Sequence, residues 1–188
     1  IFNDIAKEFF DTTDSVVILN GIRLSGIGNF DFVIVKHKPM HLLVEDFVII
    51  EVQSDSTTGT GGLVANVKDK VNNGSISNNY SFGLNTYNTI KLAFTQILTK
   101  GQVSERWNKN IVWVVQDHLF TNMVERFSIS RNEFDKNLCQ HFFIYDLVDN
   151  ENDNQFNLKL TNKYSYKIKD FLDVFEGGMD VPSLDTFI

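Results

Sequence analysis

The chain is short of cysteine, proline and positive charge. Of its 188 residues one is cysteine and two are proline. A lone Cys139 excludes an intrachain disulfide and a cysteine-rich structural zinc site. It fits a reducing compartment, where a small buried hydrophobe is a commoner role than a reactive thiol. No apolar run approaches the ~18 residues of a membrane-spanning helix, so no membrane partner is expected. No basic segment followed by an apolar one marks a signal peptide, and the expected location is cytoplasmic. Lys and Arg number 17 against 24 Asp and Glu, a net charge of −7. Bulk charge therefore does not suggest a polyanionic partner, and leaves one to a local basic patch or a bound divalent metal. No P-loop, GxSxG or GxGxxG occurs, so nucleotide hydrolysis and serine-hydrolase chemistry have no support. The histidines His37, His41, His118 and His141 show no helical metal spacing. His37 and His41 are four apart, but Pro39 between them opposes a helix.

What is present fits one globular domain. Hydrophobic residues make up 43% of the chain, and 17 phenylalanines allow a sizeable aromatic core. Apolar spacing predicts a helix over 2–11. Strands are expected over 15–26, with a turn or bulge at Asn20-Gly21, then over 29–37 and 42–53. A short helix over 63–71 follows, and then the clearest helix, over 84–100, with Leu84, Tyr87, Ile90, Phe94 and Ile97 on one face and Gly101 as a stop. A buried strand over 110–117, a helix over 119–127 and a strand over 141–148 come next. Residues 151–154 form a turn, and the remainder is strand-like and then helical. Consecutive strands followed by alternation with helices predict an α/β fold, with a mixed central β-sheet flanked by helices. The whole chain, 1–188, is expected to be one domain, with its core over about 1–117 and peripheral elements over 118–188. The chain begins at Ile1, which leaves open that it is a domain of a longer protein.

The chemistry gathers around "FVIIEVQSDSTTGTGG". An apolar strand ends in Glu51-Val52-Gln53 and drops into a hydroxyl- and glycine-rich loop. Residues two apart on a strand share a face, so Glu51 and Gln53 point the same way, with Phe47 and Ile49 behind them. On the preceding strand Asp31 shares a face with Val33 and Val35. If the two strands are antiparallel neighbours, Asp31 lies beside Glu51. Two carboxylates and the main-chain carbonyl of Val52 form a partial oxygen shell suited to Mg²⁺, which keeps its other positions for water and phosphate. Without a cation such close carboxylates repel, and one is pushed toward its protonated form.

The arrangement "NFDFVIV … FVIIEVQ" resembles the PD-(D/E)xK nuclease core, an Asp on one strand and Glu-x-Lys on the next. The match covers about 1–117, including "TQILTKGQVSERWNKNIVWVVQD". Phe30 stands where the family has proline and Gln53 where it has lysine. Glu-x-Gln occurs among restriction endonucleases of this superfamily, and the loop after it is similar to that of NotI-type enzymes. The cysteine-bound iron of those enzymes does not transfer, since one cysteine cannot hold it. The resemblance implies a Mg²⁺-dependent type II restriction endonuclease cutting double-stranded DNA as a homodimer. It implies Asp31 and Glu51 as metal ligands with the Val52 carbonyl, and Gln53 as the residue that positions water. An amide donates and accepts hydrogen bonds but supplies no charge, so a rival source of positive charge is Lys68 or Lys70. Glu8 on the first helix is a further candidate metal ligand.

For DNA contact the candidates are Ser54, Ser56, Thr57 and Thr58 in the loop, Lys68 after it, and Lys163 and Lys167 in "LKLTNKYSYKIK". That last stripe reads equally as an edge strand protected by lysines. The Asn-rich run over 72–79 offers amides able to pair with adenine edges. The alternatives are a catalytically inactive DNA-binding module of the same fold, which Gln53 permits, and a nuclease domain of a larger protein.

Overall fold

A computed structural model describes residues 1–41, 43–75, 81–150 and 155–177. Its centre is a six-stranded sheet in the order β1-β2-β3-β6-β7-β8, and β4 with β5 forms a separate two-stranded ribbon. The strands are β1 (Val16–Leu24), β2 (Gly28–His37), β3 (Val44–Gln53), β4 (Thr57–Thr58), β5 (Gly83–Leu84), β6 (Asn110–Gln116), β7 (Gln140–Asn150) and β8 (Gln155–Tyr166). The helices are α1 (Phe2–Phe10), α2 (Thr60–Asn73), α3 (Thr86–Trp107), α4 (Asp117–Arg126) and α5 (Ile168–Gly177). The sheet is mixed as expected: β3, β6 and β7 are parallel, and the outer pairs are antiparallel.

The order of the parallel strands determines the layers. β3 leads through α3 to β6, and β6 through α4 to β7, always stepping the same way across the sheet. Right-handed crossovers then put both helices on one face. There α3, α4 and α5 bury Ile90, Phe94, Ile97, Phe120, Met123 and Phe171 against Ile49, Ile111, Trp113 and Phe142. On the other face α1 packs Ile5, Ala6 and Phe10 against Ile34, Val48, Ile50, Val112 and Phe143. Consecutive β3 residues therefore serve opposite layers. α1 closes at Asp11, which takes the left-handed conformation (φ 58).

Four expectations change. Asn20-Gly21 is not the hairpin turn: β1 runs through it, with Gly21 at φ 61, and the turn to β2 lies between Leu24 and Gly28. Gly101 does not stop α3. A Cβ there would meet Gln140 Oε1 and Ile168 Cδ1 at 2.8 Å each, so this glycine admits close packing inside a helix that runs on to Trp107. Leu84 and Tyr87 are exposed, so the buried stripe of α3 begins at Thr89 and Ile90. The core does not end at Asp117 either. β7 is an interior strand whose Phe142, Phe143, Ile144 and Tyr145 are buried, and α5 inserts Phe171 fully. Residues 151–154 and much of the Asn-rich run lie outside the described residues.

Candidate active site

Asp31, Glu51 and Gln53 meet where β2 and β3 part. The two strands pair antiparallel from His37↔Val44 to Phe32↔Ile50. One step further the ladder gives way: the Asp31 carboxylate accepts the main-chain N–H of Val52 at 2.9 Å. Asp31 itself is exposed, while Glu51 is 1% exposed. An open groove of about 490 Å³ runs beside Asp31, lined by Asn20, Gly21, Asn29, Phe32 and Val52.

Glu51 and Gln53 both face α3, as the strand period requires. Lys100 of α3 donates from Nζ to Glu51 Oε2 at 2.6 Å, a contact in which both side chains are buried. Gln53 donates from Nε2 to Gln96 Oε1 at 2.9 Å, one helical turn earlier on α3. Glu51 Oε1 is buried and has no hydrogen-bond partner. Burial pushes the Glu51 carboxyl up to about 7. The Lys100 ammonium and the Asp31 main-chain N–H pull it back, and the Asp31 charge adds to the rise.

The strand end continues into a second polar cluster. The Asp55 side chain is 2% exposed, and its Oδ2 accepts from Thr86 Oγ1 and lies 3.2 Å from His118 Nε2. Its Oδ1 accepts from Thr89 Oγ1 at 3.1 Å, and its main-chain N–H donates to Gln116 Oε1 at 3.1 Å. Burial would raise this carboxyl, but the bonds from Thr86, His118 and Thr89 outweigh it and hold it below the ordinary range. The Ser56 N–H donates to Thr89 Oγ1 at 3.1 Å. Beyond it Thr57 and Thr58 pair with Leu84 and Gly83. Gly59, at φ 68, brings its Cα so close to Ser81 that a Cβ would sit 2.3 Å from the Ser81 carbonyl oxygen. The loop after the site is thus a braced ribbon with Ser54, Ser56 and Thr58 exposed on it.

Other expected contributors stand apart. Glu8 lies on α1, across the sheet from α3, and accepts from Lys163 Nζ at 2.6 Å. That pair accounts for both residues and brings neither to Asp31. Lys70 donates to the Gly74 carbonyl at the end of its own helix, and Lys68 is exposed on α2. Lys167 follows Tyr166, which pairs with Gln140 at the start of β7, the sheet end opposite Gln53.

The residues that sequence reasoning missed are Lys100, Gln96 and the partners of Asp55. Lys100 carried a readable signal. It falls three residues after Ile97 and four before Ser104, on the stripe that faces the core. A lysine on an apolar face requires a buried partner.

A two-carboxylate edge between diverging strands, backed by a helix on one face, is a nuclease-like frame. The family model for the restriction endonuclease NotI matches residues 1–158. The chain belongs to the NotI restriction endonuclease family. Among curated proteins none matches it. Membership in the NotI family implies a restriction endonuclease, with DNA as its substrate. The matched span runs from α1 into β8 and so contains both the carboxylate edge and the Asp55 cluster. No helix among the described residues is long and apolar enough to cross a membrane.

Proposed function

We propose that the protein is a Mg²⁺-dependent, sequence-specific type II endonuclease that hydrolyses phosphodiester bonds in double-stranded DNA. The observation that carries this reading is Glu51 Oε1, a buried carboxylate oxygen without a partner close to a second, exposed carboxylate on Asp31. An orphaned buried acceptor is costly unless something satisfies it. A hard divalent cation fits the donor set. Among the described residues no group of three or more His, Cys, Asp or Glu could hold a metal. In this reading Asp31, Glu51 and the Val52 carbonyl would hold the ion and leave the rest of its shell to water and phosphate, as Mg²⁺ prefers.

Bound there, Mg²⁺ supplies Lewis acidity and neutralises charge on the phosphate. Asp31 holds the β3 main chain at Val52 while its exposed side faces the groove. Gln53 gives its N–H to Gln96, so its carbonyl oxygen is left to accept from a water and orient it. Ser54, exposed at the start of the braced loop, offers its hydroxyl to the DNA backbone, while the Ser56 and Thr58 hydroxyls are engaged with Thr89 and the Gly83 carbonyl. Each chain carries one such centre, and a symmetric homodimer is the simplest way to cut both strands.

Digesting mixed plasmid DNA in Mg²⁺, with an EDTA control and sequencing of the ends, tests the reading. Discrete fragments with common ends are expected. A gel shift with intact plasmid would make the protein a binding module. Cleavage by Asp31→Ala or Glu51→Ala at the wild-type rate would remove these residues from the chemistry.

A further inference from the structure

Lys100 has an unusual position for a lysine. It is 6% exposed on the core stripe of α3, its Nζ is 2.6 Å from Glu51 Oε2, and the Phe30 ring centre lies 5.6 Å from the same nitrogen. A buried ion pair compensates its desolvation only when the remaining lone pairs are also satisfied. Here they are not: Glu51 Oε2 is held by Lys100 and Oε1 has no partner. The two oxygens of one carboxylate have been made unequal.

We propose that Lys100 is a positioning residue of the site: it tethers Glu51 Oε2 and thereby leaves Oε1 aimed at the cation position beside Asp31. This rests on the cation site proposed above. Gln53 cannot take the role, because it carries no charge and its amide nitrogen is engaged with Gln96. Lys70 on α2 is engaged with the Gly74 carbonyl, and the ion-pair partner of Glu51 is Lys100. The tether has two opposed effects. It fixes the Glu51 rotamer, which favours productive geometry, and its positive charge opposes a second cation nearby, which weakens cation binding. Lysine suits this better than arginine. A single ammonium takes one oxygen, whereas the planar guanidinium fork engages both oxygens of a carboxylate and would cover Oε1.

The test combines calorimetric titration with Ca²⁺ and plasmid cleavage in Mg²⁺, on wild type, Lys100→Met, Lys100→Arg and Asp31→Asn. Lys100→Met should bind Ca²⁺ at least as tightly as wild type yet cleave about 10²-fold more slowly, the cost of a misplaced ligand. Lys100→Arg keeps the charge and, in protein shown to be folded, should lose about tenfold or more in Ca²⁺ affinity because its fork occupies Oε1. Asp31→Asn should weaken Ca²⁺ binding as well. A purely structural role predicts the opposite ranking, with arginine harmless and methionine damaging to binding. Wild-type Ca²⁺ affinity in Lys100→Arg, or loss of binding together with cleavage in folded Lys100→Met, overturns the proposal. If Lys100→Met does not fold, the arginine arm decides alone. A wild-type protein that binds Ca²⁺ with the expected ranking but cuts no DNA would defeat the nuclease reading and leave the tether standing. A wild-type protein that binds no Ca²⁺ would overturn the tether.

Discussion

Glu51 and Asp55 are two buried carboxylates four residues apart, and they are held in opposite ways. Asp55 receives bonds from Thr86, Thr89 and His118, and its carboxyl is held below the ordinary range. Glu51 receives one side-chain bond, from Lys100, leaves Oε1 unpaired, and is pushed up by burial to about 7. A carboxylate whose acceptor capacity is filled by the fold is part of the scaffold. One left partly unfilled in a buried setting carries a cost that the fold does not offset, and such costs collect at functional sites. The comparison therefore separates the acid proposed for the chemistry from the acid that holds the loop after it in place.

Exchanging each acid for its amide sharpens this contrast. Glu51→Gln should slow Mg²⁺-dependent cleavage by about 10³-fold, and because it leaves the buried Lys100 ammonium without its counter-charge it should also lower stability by about 3 kcal/mol. Plasmid digestion and a urea melt on the same preparation read both effects. Asp55→Asn should differ in its activity. Its donors lose their charged acceptor and stability falls by about 2–3 kcal/mol, while cleavage falls less than with Glu51→Gln. Equal losses of activity in the two variants would break the distinction.

A third buried group, packed against Phe9 on the α1 face of the sheet, gives a control. His141 is fully buried between Ser165 and Asn110, and burial lowers it to about 4. Its folded value lies below its unfolded one, so the unfolded chain binds the extra proton first. Stability should fall as pH drops from about 6.5 toward 4 and level off below, by at most on the order of 3 kcal/mol. Urea midpoints against pH should show that slope, and His141→Gln should flatten it. The smallest effect belongs to Thr89→Val, which removes one donor to Asp55 and one acceptor for Ser56. It should cost about 1 kcal/mol in the same melts and loosen the ribbon enough for faster proteolysis near Ser56.

Much of this frame was legible before any coordinates. The alternation in "FVIIEVQ" placed Glu51 and Gln53 on one face, and both touch α3. The Asp31–Glu51 juxtaposition needed only antiparallel neighbours, which β2 and β3 are. What stayed hidden depends on long-range placement. Glu8 could be read as an acid near the site because sequence does not say which sheet face α1 covers. The origin of the positive charge was sought on the next helix, Lys68 or Lys70, and the lysine in contact with Glu51 is 49 residues along the chain from it. The strand-like and helical signals after Asp117 were visible, but composition could not reveal that β7 lies inside the sheet.

Thr86, Thr89, Gln96 and Lys100 lie on one side of a single helix and touch, in turn, Asp55, Ser56, Gln53 and Glu51. From the first to the last is about 21 Å of rigid rod at 1.5 Å per residue. Loops elsewhere can gain or lose residues freely, but α3 cannot. One inserted residue between Thr89 and Lys100 rotates half the stripe by about 100° and uncouples the loop from the carboxylates. Homologues and engineered variants should therefore change the length of this helix between those contacts in whole turns or not at all.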